Sequence, residues 1–111
     1  MKIKIDDEFL DVKDVDYKKM LDGLNKRIIR ILYLRDDVRS EKITEEDLFA
    51  YITSLMMDVY GAYILFSNHR FLNCLCELQT IKANVWDSNI RKKILDVASF
   101  ISTIEVSGDV K

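Results

Sequence analysis

Leu48 to Phe66 reads LFAYITSLMMDVYGAYILF, nineteen residues that carry a single charge, Asp58. Leu48, Ile52, Leu55, Val59, Ala62 and Phe66 recur at three-four spacing, which predicts a helix with one continuous apolar face. Met56, Tyr60, Tyr63 and Ile64 fall on its other sides, so the helix is apolar almost all round. Nineteen such residues match the thickness of a bilayer. Against a span stand a carboxylate at the middle of the run, the three tyrosines Tyr51, Tyr60 and Tyr63, and an acidic N-terminal flank. The expectation is a helix buried between neighbours, with no membrane involved. Its start is marked by Thr44, a hydroxyl cap, followed by Glu45, Glu46 and Asp47 where negative charge complements the helix dipole.

Working outward, Tyr17, Met20, Leu21, Leu24, Ile28, Ile31 and Leu32 form the apolar face of an earlier helix that begins near Asp14 or Asp16. The charged segment from Arg35 to Lys42 reads as a solvated connection. On the other side, Ser67-Asn68-His69-Arg70 is polar before Phe71, Leu72, Leu75 and Leu78 resume an apolar stripe. An unbroken helix from Glu45 to Asn84 would be about 60 Å long, whereas a compact domain of this size has a radius of gyration near 13 Å; a break at Ser67-Asn68 is expected. Asn84 to Ser88 is the next interruption, with Asp87 or Ser88 as cap. Ile90, Ile94, Val97, Ile101 and Ile104 then form the cleanest amphipathic stripe of the chain.

The whole chain supports that reading. It has 111 residues, 49% hydrophobic, with no proline, three glycines and a net charge of -2. Scarce turn-formers exclude a many-stranded sandwich, and the near-neutral charge excludes a global attraction to polyanions. Lys2 to Ile5 alternate polar and apolar, and Phe9 to Val12 resume after an acidic interruption, as in a short ribbon or an extended arm. The expected architecture is mainly α: a single domain over 1–111, with a β-ribbon or arm over 1–13, a bundle of three or four helices over 14–106 and a loose end over 107–111.

Residues with chemistry are few. Cys74 and Cys76, two apart on a helix, project about 200° from each other and cannot clamp one ion together; both are expected to be packing residues. His69, the one side chain with an ordinary pKa near neutrality, sits at a helix junction where a hydrogen-bonding or capping role is expected. Asp58 is the oddest residue, since a buried carboxylate needs a partner; a tyrosine hydroxyl, Arg27 or Arg30 can supply one, and otherwise it would mark a ligand-binding or catalytic cavity. Ser54, Gly61 and Ala62 are small enough to let another helix approach. No metal and no cofactor is expected.

Two surfaces stand out. Tyr51, Met56, Tyr60 and Tyr63 are candidates for a protein interface, and Lys26, Arg27, Arg30, Arg91, Lys92 and Lys93 for a basic patch if the first and last helices are neighbours. The leading expectation is a non-enzymatic interaction module (an adaptor, inhibitor or assembly factor), with a protein partner and a homodimeric state. The alternatives are a small nucleic-acid-binding regulator using the basic faces and a ligand-binding or catalytic bundle centred on Asp58. The start of the chain lacks a signal-peptide pattern and its cysteines are few, as expected of a cytoplasmic protein; the Lys-, Ile- and Asp-rich usage is that of a bacterial or phage protein.

Overall fold

The computed structural model describes residues 14–104; the expected ribbon or arm over 1–13 and the loose end over 107–111 lie outside the described residues. Of the described residues 83% are helical, and none lies in a strand. Four helices follow one another: α1 (Asp14–Arg39), α2 (Glu45–Phe66), α3 (His69–Ala83) and α4 (Ile90–Ser102). Each packs on the next, and α4 returns to α1, closing a ring of four. At one end the Tyr17 ring meets Phe66 edge-on at 5.0 Å and its hydroxyl donates to the Ile104 carbonyl at 2.9 Å. At the other end Arg39 of α1 lies over Trp86, whose indole N–H donates to Glu45 at the start of α2. Successive helices therefore run antiparallel, the up-down-up-down arrangement of a four-helix bundle.

The apolar stripes meet in one core. Ile28 and Ile31 of α1, Leu48, Ile52, Leu55 and Val59 of α2, Phe71, Cys74, Leu78 and Ile81 of α3, and Ile94 and Ile101 of α4 are all buried. Ile104, two residues past α4, closes the base of that core.

Local chemistry sets the boundaries. Thr44 and Asp47 form a reciprocal capping box: the Thr44 hydroxyl accepts from the Asp47 amide at 3.1 Å and the Asp47 carboxylate from the Thr44 amide at 3.0 Å, satisfying two otherwise orphaned donors. The segment 45–84 is two helices. Ser67 takes the left-handed conformation (φ 51°, ψ 36°) and its amide donates back to Tyr63 at 2.8 Å, while the Asn68 side chain accepts from the Arg70 amide at 2.9 Å and starts α3.

Three expectations need correction. The segment from Arg35 to Lys42 is not a solvated connection from its first residue. Helix α1 runs on to Arg39 because Leu34 and Val38 still pack on the core and no glycine or proline stops it, leaving Ser40 to Thr44 as the connection. The N-cap of α4 is Asn89, not Asp87 or Ser88, and its side chain makes no capping bond; Asp87 instead accepts the Asn89 amide at 2.8 Å and so ties down the preceding turn. Finally, α2 is one wall of the ring, not a helix enclosed by neighbours. It packs on α1 and α3, and only 28% of its most apolar stretch is buried. A helix in a four-membered ring buries a single arc, so apolar residues beyond that arc face outward. By length and composition α2 is long and apolar enough to cross a membrane.

Candidate functional site

The four interface candidates divide. The Tyr51 hydroxyl donates across to the Arg27 carbonyl on α1 at 2.8 Å, and burial pushes its pKa up despite the opposing charge of Arg27. Met56 is half-buried against the core. Tyr63 is half-buried between Tyr60 and His69, with ring centroids at 6.1 and 5.8 Å. Only Tyr60 stands well out, at 50% exposure. Its true neighbours on the outer face are Met57 and Ile64, 68% and 55% exposed, with Leu65 at the edge. Between them lies Gly61, where an added Cβ would meet nothing within 4 Å. Met57, Tyr60 and Ile64 are spaced by three and four, the same signal as the core stripe but on the opposite side of the helix. That row was readable in the sequence once the buried arc was known.

The six basic candidates are not gathered. Helices α1 and α4 are neighbours, but Arg27 turns to α2, where Nη1 donates to the Asp58 carboxylate at 2.6 Å, and Lys93 turns to α3, where it pairs with Glu77. Lys26, Arg27 and Arg30, with Ile29 and Tyr33, line a shallow depression of about 340 Å³ on α1 alone. Arg91 and Lys92 are exposed at the start of α4. Asp58 itself is half-exposed and cation-paired. The buried, cation-free carboxylate that a catalytic reading of Asp58 requires is not what the structure has.

Cys74 is a buried packing residue, and burial, reinforced by Glu77, pushes its thiol up to about 12. Cys76 differs from the expectation: it is exposed, on the rim of a depression of about 450 Å³ between α3 and α4 that Asn73, Glu77, Asp96, Val97 and Phe100 also line. Positions two apart on a helix project about 200° from each other, so one is buried and the other exposed. His69 is exposed, and the junction is capped by Asn68 instead. Among the described residues no three His, Cys, Asp or Glu side chains come together as a metal site.

One cluster escaped the sequence reading. Arg35 follows Ile28 and Ile31 by seven and four residues and so falls on the buried stripe of α1, where it is only 8% exposed. Its guanidinium lies 5.9 Å from the Trp86 ring and that of Arg39 5.3 Å, within cation–π range. The Trp86 indole is held by Glu45.

No protein-family model matches the chain, and comparison with curated proteins and with solved structures gives no match.

Proposed function

We propose that the chain is a non-enzymatic, cytosolic interaction module that works by burying the outer face of α2 against a second copy of itself. The observation that carries this reading is the row Met57, Tyr60 and Ile64, three large apolar side chains half or more exposed on one helix face. A twofold axis passing beside Met57 would lay two α2 helices antiparallel. Ile64 then faces Ala50, Gly61 faces Thr53 and Tyr60 faces Ser54, large against small at each level. Ala50, Thr53 and Ser54 are all exposed on that side. Completing the burial of the three large residues on both copies is worth on the order of 8 kcal/mol gross, and the loss of overall freedom offsets most of it. The dimer is accordingly concentration-dependent.

Light scattering across the micromolar to millimolar range tests this. The expected mass moves from monomer toward dimer, and Ile64→Lys holds it at monomer with an unchanged circular dichroism spectrum. A monomeric mass throughout, or flotation of the chain with lipid vesicles, overturns the proposal. The nucleic-acid reading has less support, because two of its six cations are in ion pairs that point to different helices.

A further inference from the structure

Helix α4 begins in the opposite way to α2. Its first turn is Ile90-Arg91-Lys92-Lys93, with no acid; its cap residue Asn89 makes no side-chain bond, and no described group accepts from the amides of Arg91 and Lys92. Cations at the positive end of a helix dipole are unfavourable on their own, and free first-turn amides there bind anions. An uncapped helix start is a weak signal by itself. A second anomaly comes from a different helix. Arg35 is more than nine-tenths buried, its Nε is enclosed without a hydrogen-bond partner, and among the described residues no carboxylate pairs with its guanidinium. Arginine in such a position ordinarily holds a carboxylate or a phosphate in two parallel bonds. Burial first, then the like charges of Arg39 and of Arg91 at the start of α4, hold the Arg35 guanidinium below its ordinary value, with only Asp36 opposing. Both Arg35 and Arg39 lie against the ring of Trp86, four residues before α4, which places the two guanidiniums at the end of the bundle where the uncapped helix starts.

We infer that this end of the bundle is a binding site for a phosphate group, held by Arg35, Arg39, Arg91 and the first amides of α4 beside the ring of Trp86. A compact dianion answers both anomalies together: it gives Arg35 the acceptor it lacks and α4 the negative charge its own first turn withholds. Glu45 is already engaged with the indole of Trp86. The site is independent of the α2 face, so either proposal can fail alone.

Trp86 is the chain's one tryptophan, which makes its emission a local reporter. The full chain is titrated with inorganic phosphate, with phosphoserine, and with chloride at matched ionic strength. The expected result is a saturating change with phosphate or phosphoserine and none with chloride; saturation by inorganic phosphate alone assigns a free ion, and saturation by phosphoserine as well assigns an esterified group. Arg91→Gln, at an exposed position that the fold does not need, weakens the saturating response at least tenfold. Arg35→Met abolishes it, with circular dichroism to verify folding, while Lys26→Gln on the outer face of α1 leaves it unchanged. An equal response to chloride, or parental affinity in Arg91→Gln, overturns the proposal.

Discussion

Replacing Gly61 by alanine separates the fold of one copy from the association of two. Glycine in a helix interior is about 1 kcal/mol less favourable than alanine, because it gives up more backbone freedom on folding. At Gly61 nothing offsets that gain within the monomer, since an added Cβ meets no atom within 4 Å. Gly23 on α1 has equally open surroundings and serves as the internal control. With an unfolding entropy of roughly 0.2 kcal/mol per degree for a domain of this size, each alanine raises the monomer's melting temperature by about 4 °C. In the proposed dimer, however, Gly61 faces Thr53 of the second helix, and a methyl group there holds the helices apart. Calorimetric melts at low and high protein concentration should therefore diverge. Gly23→Ala gains about 4 °C at both, whereas Gly61→Ala gains it only when dilute and loses it as concentration rises. Identical behaviour of the two variants at every concentration would refute the close approach of a second helix at Gly61. A loss of stability for Gly61→Ala in dilute solution would refute the open α2 face itself.

Three further outcomes follow from individual contacts. A double-mutant cycle on Arg27→Gln and Asp58→Asn should give a coupling of about 0.2–1 kcal/mol that fades in molar salt, since the pair is well exposed to solvent; a coupling that survives molar salt would contradict that exposure. Native protein treated with iodoacetamide near pH 8 should take one label, at Cys76, and a second only in denaturant, because burial raises the Cys74 thiol to about 12; peptide mapping that finds native Cys74 modified as fast as Cys76 counts against the core. The Asp47 carboxyl lies below its ordinary value because the Thr44 amide and hydroxyl hydrogen-bond to it. A depressed folded-state pKa adds stability above the ordinary aspartate value near 4, lost as pH falls through the lowered one. Urea melts should thus show Asp47→Asn weaker than the parent at pH 7 and equal to it once that carboxyl is protonated; an equal gap at both pH values would remove the charge from the explanation.

How far the sequence could be read depended on what each feature needed to know. The capping box required only residues 44 to 47, and the break at Ser67-Asn68 only a local change of polarity, so both were legible. The stripe of α4 was legible because Ile90, Ile94, Val97 and Ile101 recur at three-four spacing and the other faces of the helix are polar apart from Leu95 and Phe100. For α2 the periodicity marked one buried arc correctly, yet it could not say that the remaining apolar residues face outward, since that depends on how many helices surround it. Tyr51, Met56 and Tyr63 looked as available as Tyr60 for the same reason; they lie on the flanks of the arc, where α1 and α3 meet α2. The residues of the basic patch divide by direction. Arg27 and Lys93 sit on helix sides that face α2 and α3 respectively, and adjacency of α1 to α4 does not bring them together.

Arg35 is the opposite case, a charge that hid in plain view among charges. Surrounded by Asp36, Asp37 and Arg39, it reads as part of a solvated stretch, and only its register with Ile28 and Ile31 shows that it continues the core stripe. Extending that stripe has a structural consequence. It carries a cation to the end of the bundle where α3 turns into α4, so that the buried guanidinium meets the ring of Trp86, just ahead of the uncapped first turn of α4, from a helix far away in sequence. A folded chain minimises lone buried charge and unpaired helix amides separately. Finding both unrelieved at the same end, while α2 begins with a complete capping box and three acids, argues that the relief comes from outside the chain.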